Sequence, residues 1–141
     1  MRKTALFVLV ALAIIGALSC KDSTTGPSPQ GLSGTWKATK AEYVSAADSS
    51  KKVDIVAQGS TLTLVLETGS FTLTITDPGE APSVTTGTWT SSSDTLTLAP
   101  SGTSFTWMFN MTQSGNNLTL SGGHVQFDFS GALEEAILNR S

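Results

Sequence analysis

Thr61-Leu62-Thr63-Leu64-Val65-Leu66 and Phe71-Thr72-Leu73-Thr74-Ile75-Thr76 decide the fold, because both alternate apolar and hydroxyl-bearing side chains. Successive side chains of an extended chain point to opposite faces. Leu62, Leu64 and Leu66 therefore share one face of their strand, as Phe71, Leu73 and Ile75 do of theirs. Threonine suits the other face, since its β-branch favours extended backbone while its hydroxyl meets water. The same period recurs at Leu96 and Leu98, at Phe105, Trp107, Phe109 and Met111, at Leu118 and Leu120, and at Val125, Phe127 and Phe129. With the segment from Gly34 onward, this predicts strands near 35–45, 60–67, 70–77, 84–91, 94–99, 104–112, 117–121 and 124–130.

The breaks between these runs are short and carry turn chemistry: Thr68-Gly69, Ser92-Ser93-Asp94, Ser101-Gly102, Ser114-Gly115-Asn116 and Gly122-Gly123. Gly and Asn supply the positive φ of tight hairpins. Connections this short permit only antiparallel neighbours, because a parallel crossover needs a dozen residues or more. The expectation is an all-β, eight-stranded antiparallel up-and-down β-barrel, with a two-sheet β-sandwich as the alternative. Residues 53–58 fit a short strand, a helical turn or a lid over one barrel mouth. Residues 132–139 fit a helix by composition and by the spacing of Leu133, Ala136 and Ile137, or a closing strand; helix is slightly favoured.

Composition supports a small β-domain. Of 141 residues, 13% are charged, while 21 Thr and 19 Ser dominate. The net charge of −3 gives no electrostatic reason to bind nucleic acid. At the N-terminus, Arg2 and Lys3 precede an apolar run from Ala5 to Leu18, then Ser19 and Cys20. The run is about 14 residues, too short for a spanning helix and right for a secretory signal. The ending Gly16-Ala17-Leu18-Ser19-Cys20 resembles the lipobox of bacterial lipoproteins, which implies cleavage after residue 19 and acylation of Cys20. Cys20 is the only cysteine and so has no disulfide partner within the chain. The resulting organisation is a lipoprotein signal peptide at 1–19, a flexible tether at 20–31, a barrel domain at 32–130 and a C-terminal segment at 131–141. Lys21 rather than Asp after the cysteine favours delivery to an outer membrane, facing the periplasm, in a Gram-negative cell.

Gly34-Thr35-Trp36 heads the first strand, and Gly87-Thr88-Trp89 repeats the tripeptide. Here the chain resembles the lipocalin superfamily, and more closely the short lipocalin-like domains of bacterial lipoproteins, over about residues 32–130. The resemblance implies that Trp36 closes the barrel base under an arginine, for which Arg140 is the candidate. It also implies a small apolar ligand inside, with Trp36, Leu64, Phe71, Trp89, Trp107, Phe109 and Phe127 as candidate interior contacts. The same side chains, with Phe105 and Phe129, could instead fill the bore, which eight strands make only wide enough for side chains or one small ligand. No Lys or Arg falls on the inward face of the later strands, which argues against a clamp for a fatty-acid carboxylate.

Catalysis and metal chemistry are not expected. His124 is the only histidine and falls on an outward phase, whereas a Ser–His–Asp relay needs a sheltered histidine reached by both partners. Zinc asks for three or four Cys or His ligands, and calcium for clustered carboxylates that Asp48, Asp54, Asp77 and Asp94 do not form in sequence. No cofactor is implied. Two functions stand: a lipid-anchored binder of a small apolar molecule, or a non-catalytic structural or interaction module with a filled barrel.

Overall fold

The computed structural model describes residues 29–45, 47–123 and 131–141. A one-turn helix α1 (Pro29–Leu32) leads into nine strands: β1 (Gly34–Ser45), β2 (Lys52–Asp54), β3 (Thr61–Leu66), β4 (Ser70–Thr76), β5 (Ser83–Ser92), β6 (Thr95–Pro100), β7 (Trp107–Ser114), β8 (Asn117–Ser121) and β9 (Gly131–Arg140). From β3 to β9 each strand pairs antiparallel with the next, and β1 pairs with both β3 and β9. Pairing is therefore continuous around the ring. The fold is a closed eight-stranded up-and-down barrel, with β2 as an extra strand on β1. The sandwich alternative falls, because the described strands form a single sheet whose ends meet in the β1–β9 pairing.

The alternation in β3 and β4 becomes alternating burial: Leu62, Leu64 and Leu66, and Phe71, Leu73 and Ile75, point into the core while the threonines between them do not. Closure depends on the long β1–β9 ladder, which runs from Trp36↔Arg140 to Ser45↔Gly131. Its register slips twice. Between Ala38↔Leu138 and Lys40↔Ile137 the extra residue is Thr39, and between Glu42↔Glu135 and Tyr43↔Leu133 it is Glu134. Such bulges bend a strand and change which side chains face inward. In β1 the inward set passes from Trp36 to Ala41 and Tyr43, and in β9 it is Leu133, Ala136 and Leu138.

This corrects the helix favoured for 132–139. A bulge at Glu134 spaces Leu133 and Ala136 three apart, which imitates helical periodicity on a strand. The eighth barrel strand is Gly131–Arg140. The strand expected at 124–130, with Phe127 and Phe129, lies outside the described residues. A second correction concerns Phe105. The expected strand at 104–112 begins only at Trp107, and Phe105 sits in the preceding loop with 52% of its surface exposed. In the 53–58 region, Lys52–Asp54 is a strand and the following residues form turns.

Because the strands alternate in direction, the barrel has two distinct ends. At the base lie α1, the start of β1, the end of β9 and the β3–β4 hairpin. At the far end lie residues 55–60 and the β4–β5 and β6–β7 connections.

Candidate functional site

The interior is apolar and nearly full. Trp36, Leu64, Phe71, Trp89, Trp107 and Phe109 are all buried. The rings of Phe71 and Trp107 pack 6.3 Å apart at 53°, within the range of favourable tilted aromatic pairs. Two glycines let rings approach the wall. A Cβ on Gly87 would fall 2.6 Å from the Phe71 ring and 2.1 Å from the Ala99 carbonyl oxygen. On Gly123 it would fall 1.9 Å from the Phe109 ring.

Among the described residues, a cavity of about 20 Å³ lies between Tyr43, Leu62, Leu64, Leu73, Leu98, Phe109, Leu120, Leu133, Ala136 and Leu138. That is room for about one water, whereas pockets for organic ligands run to about 300–1,000 Å³. Of the candidate contacts read from sequence, Leu64 and Phe109 reach this cavity. Trp36, Phe71, Trp89 and Trp107 do not line it. Sequence reading missed Tyr43 and the β9 side chains Leu133, Ala136 and Leu138, because the bulges hide their inward phase. Cys20, His124 and Phe127 lie outside the described residues.

The base is closed by a compact set of contacts. Gly34 adopts φ 143°, and two residues on Trp36 is fully buried. The Trp36 indole Nε1 donates to the Leu32 carbonyl at 2.8 Å, satisfying the one polar atom of a buried ring. The Arg140 guanidinium lies 4.7 Å from the centre of the Trp36 ring, in cation–π range. It also donates through Nη2 to the carbonyls of Gly31 and Ser33, the latter at 3.1 Å. Gln113 Nε2 donates to Gly31 O at 3.1 Å. Residues 31–33 are thereby fixed across the base, with Leu32 inserted into the core.

At the far end, Asp54 organises the turn after β2. Its Oδ1 accepts from the amides of Ala41 at 3.1 Å, Val56 at 3.0 Å and Ala57 at 3.4 Å. Ser60, the only buried polar residue among those described, donates its hydroxyl to Asp77 Oδ1 at 2.5 Å. Burial, and secondarily the charge of Asp77, push the Tyr43 phenol well above its ordinary 10.0. Outside the barrel, Lys40 bonds Glu135 at 2.9 Å and Lys52 bonds Glu134 at 2.5 Å, tying β1 and β2 to β9. These hydrogen bonds raise both ammonium pKa values. Among the described residues, no group of three or more His, Cys, Asp or Glu could hold a metal ion.

A sequence model of the lipocalin-like domain matches residues 32–120, more than half of the chain. The chain belongs to the lipocalin-like domain family. Neither the curated proteins nor the solved structures searched contain a significant match to it. The matched span of this lipocalin-like domain runs from Leu32 at the base to Leu120 in β8. It thus includes the Trp36 cluster and most of the cavity wall, and stops short of β9 and Arg140.

Proposed function

We propose that this lipocalin-like domain is an exported, lipid-anchored, non-catalytic module of the bacterial cell envelope, working as a filled barrel. The observation that carries the filled-barrel reading is the cavity volume of about 20 Å³. A small organic ligand needs more than ten times that space. The anchor rests on the n-region, apolar run and lipobox-like ending at 2–20, with Cys20 acylated and the membrane contacted through its lipid. Outer-membrane delivery, with the barrel facing the periplasm, rests on Lys21 following that cysteine. At the base, Arg140 capping Trp36 serves as the structural cap that holds residues 31–33, from which the tether leads back to Cys20.

A second reading is favoured by the chemistry of the cavity wall, which is apolar throughout. Under it the barrel takes a small, uncharged apolar molecule by displacing side chains, with Leu64 and Phe109 in direct contact. Titrating the detergent-solubilised mature protein with apolar dyes and lipid extracts, read by Trp fluorescence, separates the two. The filled barrel gives no saturable change; a saturable change selects the ligand reading. For the anchor, Cys20→Ser moves the protein to the soluble fraction, and unchanged membrane association contradicts acylation.

A further inference from the structure

We propose that the exposed ring of Phe105, with the uncharged outer face of β5 to β7 beside it, is a docking site for a neutral polysaccharide chain. The loop between β6 and β7, Ser101-Gly102-Thr103-Ser104-Phe105-Thr106, is exposed throughout. Phe105 keeps 52% of its surface in solvent, yet its ring has a fixed seat. It packs 6.4 Å from the ring of buried Trp107 at 36°, within the range of favourable aromatic pairs. The loop is braced as well. Ser101 N donates to Thr86 O at 2.8 Å, and the Thr103 hydroxyl lies 3.0 Å from the Pro100 carbonyl oxygen and 3.3 Å from that of Phe105. A ring already held out to solvent loses little freedom when a ligand covers it.

β7 follows two residues later and carries the site onto the barrel wall. The register sets its outward Met108 beside Thr97, and Thr97 beside Thr90; Asn110 stands beside Thr95, and Thr95 beside Ser92. None of these side chains is charged. From Thr61 to Ser121 the chain has no Lys or Arg, and its four acids, Glu67, Asp77, Glu80 and Asp94, lie between strands. The described cations, Lys37, Lys40, Lys51, Lys52 and Arg140, are on or beside β1, β2 and β9. This chemistry selects the occupant. A phosphate, an anionic polymer or an anionic membrane needs cations that this side of the barrel does not carry. A protein partner wants a contiguous apolar core, whereas Phe105 and Met108 stand among hydroxyls and an amide. A neutral pyranose chain offers a C–H face to cover the Phe105 ring. Its hydroxyls exchange hydrogen bonds with Thr, Ser and Asn side chains, which both donate and accept. Each such exposed bond contributes little net, so affinity grows with the length of chain laid along the wall. The site lies outside the bore and stands or falls separately from the filled-barrel reading.

The test titrates the detergent-solubilised mature protein with cellohexaose, chitohexaose and maltohexaose while following its methyl and aromatic resonances. At least one hexasaccharide is expected to give saturable shifts at the Phe105 ring, the Met108 methyl and the Thr97 methyl, with the Leu64 and Leu98 methyls unmoved. Phe105→Ala should weaken that binding on the order of tenfold or more, as loss of an aromatic anchor does, while Phe105→Tyr should retain it. Thr97→Val, which keeps the β-branch and loses the hydroxyl, should weaken it on the order of threefold. No saturable shift with any of the three sugars overturns the proposal. So do shifts confined to other parts of the surface or to the interior methyls, and the wild type alone decides this if Phe105→Ala does not fold. Undiminished binding by a folded Phe105→Ala, or equal affinity for anionic polygalacturonate or for an apolar peptide, also overturns it.

Discussion

The chain writes Gly-Thr-Trp twice, at Gly34–Trp36 and Gly87–Trp89, and the two copies do different work. Both tryptophans are buried, and both donate the indole N–H to a backbone carbonyl at the base, Trp36 to Leu32 and Trp89 to Glu67 at 2.6 Å. The glycines differ. Gly34 is needed for its backbone, at φ 143°, and the atoms nearest its Cβ position belong to the Arg140 side chain, at 3.4 Å and beyond. Gly87 is needed for the space beside it, which the Ala99 carbonyl and the Phe71 ring already occupy. Only the first tryptophan has the Arg140 guanidinium over its ring. Identical tripeptides thus become a barrel terminus in one place and a packing notch in the other, and neighbours elsewhere in the chain decide which.

Alanine substitutions expose this difference most strongly. Gly87→Ala forces apart β5 and β6 and is expected to cost about 3 kcal/mol or more, as overpacking against backbone does. Gly34→Ala strains the backbone and should cost about 1–2 kcal/mol. Urea unfolding followed by Trp fluorescence measures both, and equal losses would erase the distinction between conformation and space. A smaller effect comes from Arg140→Ala, which removes the stack and two carbonyl contacts for about 1 kcal/mol. Combined with Trp36→Phe it should be less than additive, whereas with Trp89→Phe it should be additive. A double-mutant cycle that couples Arg140 to Trp89 as strongly as to Trp36 would contradict the base as described.

The mildest test moves to the far end and sharpens its contrast with the base. Tyr43 is the single tyrosine, and burial and then Asp77 raise its pKa in the folded state. Below about pH 10 the phenol is neutral both folded and unfolded, so it adds no pH dependence. Above that, the unfolded chain releases the proton that the folded chain retains, and stability falls as pH rises. Tyr43→Phe should flatten this alkaline slope. The loss from Lys40 and Lys52 should remain, since their Glu partners likewise raise the folded pKa. Phenolate absorbance at 295 nm should appear only with unfolding; its appearance in the native protein would place Tyr43 in solvent.

Much of this architecture was legible from residue order, and the exceptions share a cause. β3, β4, β6 and β8 are strands of unbroken alternation, and period two reads directly onto their burial. β9 is not, since the bulge at Glu134 turns a strand into an apparent helix, and only its pairing with β1 reveals the phase. Phe105 continues the alternation of β7 by two residues beyond the last ladder pair, so its apolar side chain faces solvent from a loop. The interior was legible as a set of apolar side chains but not as a volume. Whether rings fill a bore depends on notches such as Gly87 and Gly123, which appear in sequence only as glycines. The turn around Asp54 was equally hidden: its Oδ1 accepts from the amide of Ala41, thirteen residues earlier, and from that of Val56, two residues later.

Packing of the bore is open to direct measurement by titrating the isotopically labelled protein with benzene while following its methyl resonances. An apolar void of about 150 Å³ is enough to bind that molecule. Methyls of Leu62, Leu64, Leu98 and Leu138 should show no saturable shift, because the space they enclose is about 20 Å³. A saturable shift confined to those methyls would show a bore that stands open, and would contradict the filled barrel.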